Sequence, residues 1–502
     1  MKTPGCRIAN GGIVAAAAIP EATVTEFRQR ICEAVAGGAR LAALFGLPGE
    51  AEALRLMAVL AHDQEGRLEL LGSAPVGEKY PALTPDCPQA HWFEREMAEQ
   101  WGVHPEGHPW LKPIRFHPAW RPAAGTPPAP EPGVTDYFRV EGEEVHEVAV
   151  GPVHAGIIEP GHFRFQCHGE RVMHLEISLG YQHRGVEPAL RGGPNRRTLA
   201  MMETVAGDTT IGHATAYCQV LESLSQTPAP PRAQALRALA LELERLANHT
   251  GDLGALAGDV GFLPTAAYCG RIRGDFLNLT ALLCGNRFGR GLLLPGGVRF
   301  DAGADRLQAL EKVLAQAMED AANAVDLLWN TSSVRARFEN AGALSRQTAV
   351  ALGLVGPAVR ACGVEQDVRR DLPWGRYCFQ QIPVSTFATG NVYARAFVRW
   401  LEMQRSAAFL RDLLHTLPPG PIHVPLPPLA PQQVAVALVE GWRGEICHVA
   451  MTDAAGRLAH YKIVDPSFHN WFGLAMALRE QQISDFPLCN KSFNLSYCGH
   501  DL

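Results

Sequence analysis

PPRAQALRALALELERLANH, residues 230–249, decides the architecture of the chain's centre. Leu236, Leu239, Leu243 and Leu246 recur at steps of three and four, the spacing that lines up one apolar stripe on an α-helix. Pro230 and Pro231 stand where a helix tolerates proline, because an amide in the first turn has no intrahelical acceptor in any case. Helical spacing extends from Leu190 to Leu417, so a helix bundle over about 190–417 is the expectation.

Working outward, two proline-rich breaks bound this region: HPAWRPAAGTPPAPEPG, residues 117–133, and LPPGPIHVPLPPLAP, residues 417–431. Proline fixes φ, lacks a donor and disfavours helix in the residue before it. The first break reads as a semi-rigid linker over 117–140, and the second ends the bundle and delivers the chain to a last part, 432–502. There EICHVAMTD and HYKIVDP carry alternating or β-branched runs, followed by a short helix around Trp471–Arg479, which predicts a small β-rich part with a buried tail. Residues 1–116 mix a helix over Glu21–Phe45 with strand-like Ala53–Leu60 and Leu68–Leu71, an α/β sandwich. The opening MKTPGCRIANGGIVAAAAIPEATV reads as the first strand of a folded domain, since glycines and Pro20 interrupt any signal-peptide pattern. The fold class expected is α+β and multidomain.

Composition narrows the function classes. With 502 residues, 47% hydrophobic and 19% charged, the chain buries large cores. Its 45 basic and 51 acidic residues leave a formal charge of −6, which offers no polycationic field for a nucleic-acid backbone. No run approaches the ~20 apolar residues of a spanning helix, so a membrane role requires partner subunits. Twelve cysteines form no CxxC, which argues against zinc or an iron–sulfur cluster held by a local motif and for reduced thiols in a cytoplasmic protein. No G-x-G-x-x-G follows a strand, so direct nicotinamide binding is unsupported, and any NADH association is indirect.

FEREMAEQWGVHPEGHPWLKPI, residues 93–114, is an acidic and basic helix followed by a glycine-containing turn. Glu94, Arg95, Glu96, Trp101, Gly102, Gly107, His108, Pro109 and Leu111 resemble the signature of the C-type subunit of respiratory complex I, and the helix reads as a docking scaffold with solvated charges. VGPVHAGIIEPGHFRF and ISLGYQHRGVEPAL, residues 150–165 and 177–190, resemble the opening of the D-type subunit of complex I and of the hydrogenase large subunits. LCGNRFGRGLLLPGGV, LGLVGPAVRACGVEQDVR, GNVYARAFVRWLEMQRS and VDPSFHNWFGLAMAL match later blocks in order. EPGHFRF and GYQHRG lean toward the group 4 membrane-bound [NiFe] hydrogenases, and fusion of the C-type and D-type parts into one chain is the pattern of formate hydrogenlyase and hydrogenase-4 large subunits. The resemblance implies a complex I C-type domain over 1–116 and a D-type, hydrogenase large-subunit-like domain over 141–502.

A nickel–iron pair needs four thiolates, because soft sulfur donors stabilise it. The family's V-C-G-x-C-x-x-x-H falls on Val205–His213, with Ala206 and Thr209 at the ligand positions. The family's S-x-D-P-C-x-x-C falls on SFNLSYCGHDL, with Ser496 and Gly499 at the other two. The resemblance therefore implies loss of the centre, and no directly bound cofactor is expected, although Cys498 lies one residue out of register and Cys489 is near. With Asp501 and Leu502 last in the sequence, the extension that nickel enzymes cleave is expected to be lacking.

Quinone reduction, the other chemistry of the superfamily, needs polar donors at the end of an apolar chamber. The resemblance implies His154 and Asp259 as a paired proton relay there, the aspartate fixing the ring tautomer. The tyrosine donor of the family aligns with Gly207, leaving Asp208 and His213 as substitutes. Glu187 matches the glutamate that carries protons from nickel; it either feeds a proton path or joins His183 and Arg184 in a structural ion network. Asn391 replaces the usual aspartate, so it forms no charged pair with Arg395, and Arg245, Asn248 and His249 are read as packing groups. The expected function is that of one part of a membrane-associated oxidoreductase related to NADH:quinone oxidoreductase and hydrogenase-4, reducing quinone or another acceptor. The alternatives are a catalytically silent coupling scaffold and, less favoured, an active hydrogenase. The expected partners are a small iron–sulfur subunit beside His154 and Ala206 and antiporter-like membrane subunits. The expected location is peripheral, on the cytoplasmic face of the cell membrane.

Overall fold

The computed structural model describes residues 5–49, 53–121, 131–154 and 158–502. Positions 122–130 of the proline-rich linker and 155–157 after His154 lie outside them. The central helix runs over Pro231–Asp259 with Pro231 in its first turn, and Leu236, Leu239, Leu243 and Leu246 are all buried. It packs against helices Leu263–Cys284 and Val392–His415, and Ala304–Trp329 packs on the outer side of Leu263–Cys284. Buried on nearly every side, this helix also carries ionic groups into the core: Glu242, Arg245 and His249 meet Arg369, the Glu440 carbonyl and Glu402. Asn248 donates to the Asp208 carbonyl. Burial of this many charges is tolerated because each finds a partner.

The N-terminal part is a sheet ordered Cys6–Ile8, Arg67–Ser73, Leu54–His62, Arg40–Pro48, with Glu21–Ala22 added parallel to Arg67–Ser73. Its helix is shorter than the expected Glu21–Phe45. A Thr23–Glu26 capping box starts it and Gly37 ends it, so helix occupies Val24–Ala36 only. Gly38 at φ +97° turns the chain back, and Arg40–Pro48 pairs as a strand with Leu54–His62. The opening segment divides its strands: Cys6–Ile8 edges this sheet, whereas Ile13–Ala15 joins Gln433–Gly441 in the C-terminal sheet. That second sheet continues through Gly444–Thr452 to Leu458–Val464, all antiparallel. The last long helix starts earlier than Trp471, at Pro466, because the Asp465 carboxylate caps the Ser467 amide at 2.8 Å.

The solvated charges expected on the His91–Trp101 helix are in fact buried. Glu94 accepts the amides of Leu83 and Thr84, and Arg95 donates to the carbonyls of Lys112 and Pro113. Glu96 is held by Arg115 and by Lys462, whose Nζ lies 2.6 Å from both carboxylate oxygens. Burial raises the Glu96 carboxyl, but the two cations outweigh it and bring it down to about 2. The His91–Trp101 helix is thus bolted to the C-terminal sheet. No helix among the described residues is long and apolar enough to cross a membrane.

Candidate functional site

Two arginines clamp the segment Val205–His213 to the C-terminal tail. Arg184 donates to the carbonyls of Thr204, Val205 and Cys498, at 2.6, 3.0 and 3.0 Å. Arg443 makes a two-pronged pair with Asp208, at 2.6 and 2.7 Å, donates to the Thr209 hydroxyl and reaches the Asn494 carbonyl. Arg443 follows Gly441 and Trp442 at the tip of the C-terminal hairpin, and its guanidinium lies over the Trp442 ring. Asp208 is therefore half of an ion pair rather than a free proton donor.

His213 begins a buried chain of hydrogen bonds. Its Nε2 is 3.0 Å from Asp465 Oδ2 and its Nδ1 is 3.1 Å from His448 Nε2; His448 Nδ1 is 2.9 Å from the Tyr461 hydroxyl. Burial, followed by the neighbouring His213, holds His448 well below the ordinary imidazole range. Burial pushes Asp465 up, yet His213 and Arg443 together hold it below the usual carboxylate range. With one proton on each ring, the donors run in a single direction, Tyr461 to His448, His448 to His213, and His213 to Asp465.

Asp465 fills the space beside the tail. A Cβ built on Gly499 would lie 2.7 Å from both the carboxyl carbon and Oδ2 of Asp465. Ser496, instead of pointing a free hydroxyl at a ligand, caps the Tyr497–Asp501 helix by accepting the Gly499 amide at 2.9 Å. Ala206 is buried and offers no donor, and the Thr209 hydroxyl is bound to Arg443. Burial and the charge of Glu159 push the Cys498 thiol up to about 12, and burial does the same to Cys489, so both keep their protons at neutral pH. The oxygens gathered here do not suit a soft, low-valent metal pair.

Among the described residues, no hydrogen bond or ion pair joins His154 to Asp259. Asp259 is exposed as the last residue of its helix, whereas His154, half-buried, lies with Nδ1 3.3 Å from the Pro152 carbonyl and Nε2 3.4 Å from the Tyr497 hydroxyl. Tyr497, which comes from the tail, has its phenol pushed up to about 12 by burial. Glu187 pairs with Lys462 at 3.1 Å and accepts the Ile463 amide at 2.9 Å. The network expected with His183 and Arg184 does not form, since both spend their donors on backbone carbonyls of the tail and of Thr204 and Val205. Asn391 caps the Val392–His415 helix, and Arg395 binds Ser492 and two backbone carbonyls.

Profiles described as "Respiratory-chain NADH dehydrogenase, 30 Kd subunit" and "Respiratory-chain NADH dehydrogenase, 49 Kd subunit" match residues 29–129 and 259–433. The carbon monoxide-induced hydrogenase of Rhodospirillum rubrum is 31% identical over 70% of this chain and 97% of its own length. The chain belongs to the family of complex I 49-kDa-type and membrane-bound hydrogenase large subunits. Formate hydrogenlyase subunit 5 of Escherichia coli is 30% identical over 87% of this chain and 78% of its own, a span that takes in both fused parts. A structure of the membrane-bound sulfane sulfur reductase, an archaeal respiratory membrane complex, shares the fold at a TM-score of 0.68 and 23% identity, over 73% of this chain and all of that one. Within the family's frame, Arg443, Asp465, His448, Tyr461 and Tyr497 are the residues that sequence reasoning passes over. HYKIVDP and EICHVAMTD read only as strands; a histidine or lysine facing inward from a buried strand is the available signal.

Proposed function

We propose that the chain is the large subunit of a membrane-associated, multi-subunit oxidoreductase in which proton-handling side chains occupy the place where the family's hydrogenases hold nickel and iron. The observation that carries this reading is Asp465, which fills the space any side chain at Gly499 would need and extends inward through His213, His448 and Tyr461. On this reading, electrons arrive from a small iron–sulfur subunit seated beside His154 and Ala206, and quinone or another acceptor is reduced at the His154 loop. Pro152 orients the His154 ring so that Nε2 faces Tyr497, and the two polar groups supply a proton to an acceptor oxygen. Antiporter-like membrane subunits complete the assembly, and the chain sits peripherally on the inner face of the cell membrane. The fold shared with a chain of an archaeal respiratory membrane complex supports this placement.

A second reading, a catalytically silent coupling scaffold, is favoured by one observation: Asp208, His213 and Glu187 are each engaged by protein partners. The two separate in the assembled complex carrying Tyr497→Phe or His154→Ala. Loss of quinone reduction with normal assembly supports catalysis at this loop, whereas retained turnover assigns the chain to the scaffold.

A further inference from the structure

Between the His91–Trp101 helix, the Trp110 turn, strand Arg171–Ser178 and the Pro466–Ala477 helix lies a cavity of about 490 Å³. Its volume falls within the range of small-molecule sites. The walls are flat rings, among them His91, Trp92, Trp110, Phe138, His174 and Phe472. Trp110 and Phe138 pack edge to face at 5.9 Å and are 36% and 42% exposed, so they form the mouth.

Polar groups in this lining are left without partners. The indole N–H groups of Trp92 and Trp471, two lining residues, have no acceptor among the described residues, but they are buried away from the open space of the cavity. Arg95, 6% exposed, also lines the cavity and has no carboxylate within ion-pair distance among the described residues. Its Nε and Nη2 are spent on the carbonyls of Lys112 and Pro113, 2.8 Å each, and Nη1 is not committed to either. The two acidic groups that influence it are taken: Glu176 by Lys112, Trp110 and the Phe138 amide, and Glu99 by the amides of Ile114, Arg115 and Phe116. Burial brings the Arg95 guanidinium down to about 10, still charged at neutral pH.

A buried cation without its counter-ion, at the wall of an aromatic-lined cavity, is complementary to a flat anion. We propose that this cavity binds a planar aromatic molecule carrying a carboxylate, the ring lying among the aromatic walls and the carboxylate meeting Arg95. Trp471, one wall of the cavity, packs edge to face on Tyr497 at 4.8 Å, but nothing in this proposal depends on how His154 acts.

The test titrates the purified complex with 2-naphthoate and, in parallel, with its neutral analogue 2-naphthamide, following ligand fluorescence anisotropy. Charge-assisted pairing with Arg95 predicts saturable naphthoate binding about tenfold or more tighter than the amide. Arg95→Gln is expected to erase that preference. Ala475→Phe, which fills the cavity from the opposite wall without altering charge, is expected to weaken naphthoate binding by about tenfold or more. Equal affinity for acid and amide, no saturable binding of naphthoate, or unchanged affinity in Ala475→Phe would each overturn the assignment.

Discussion

Replacing Arg443 with methionine keeps most of the side-chain volume and removes the charge that joins the Val205–His213 segment to the tail. Removing one partner of a buried ion pair leaves the other uncompensated and costs about 3–5 kcal/mol. Here Arg443 is 5% exposed but Asp208 is 33% exposed, so solvent screens the abandoned carboxylate and the lower figure, about 3 kcal/mol, is expected. Asp465 loses the same favourable charge, and the Asn494 carbonyl loses its donor. Urea unfolding of the full-length chain, followed by tryptophan fluorescence, reads the loss, with Trp442 directly under the guanidinium as a local reporter. A double-mutant cycle with Asp208→Asn isolates the pair, and a coupling of about 1–2 kcal/mol is expected for groups in direct contact. A cost below about 1 kcal/mol together with coupling near zero would refute the idea that this pair holds the loop to the tail.

Lys462→Met strips Glu187 of its cation and leaves Glu96 to Arg115 alone, and a loss of about 3 kcal/mol in denaturant midpoint measurements is expected; a loss under about 1 kcal/mol would mean Arg115 alone suffices. Gly499→Ala forces a methyl against Asp465 and is expected to cost about 1–3 kcal/mol, relieved in the double variant with Asp465→Ala; a neutral result would show that the space is not filled. Buried His460 and His469 are both lowered to about 3, so the unfolded chain binds more protons than the folded one between that value and 6.5. Their stabilising contribution is full above pH 6.5 and falls as pH drops, by up to about 1.4 kcal/mol per unit for each residue. His460→Phe, which keeps the stacking on Phe45, is expected to flatten the stability profile between pH 6.5 and about 4.5; a profile parallel to the parent's would exclude His460 as a source.

Periodicity exposes the bundle because helical burial is a local pattern: Leu236 to Leu246 announce their face without help from distant residues. The expected N-terminal helix overruns into Arg40–Pro48 because apolar residues there suit either period, and only Gly37 and Gly38 mark the stop. Long-range pairing is what the sequence conceals. Glu96 and Lys462 are 366 residues apart, and His213 finds His448 and Asp465 at separations of 235 and 252. Charged residues on the His91–Trp101 helix look solvated until the partner sheet is in place, and a histidine pair on two elements has no local signature. Tyr497 escapes notice for the same reason, since its partner His154 precedes it by 343 residues.

Side-chain ion pairs and hydrogen bonds, rather than four thiolates, fill the hollow between the Val205–His213 segment and the tail. Elemental analysis of the purified, assembled complex examines that hollow without intermediaries, with nickel quantified per large subunit and iron compared with acid-labile sulfide. The expected outcome is nickel far below one atom per chain, and iron no greater than sulfide. Nickel at one atom per chain, with iron in excess of sulfide, would be incompatible with a pocket closed by Asp465 and Arg443.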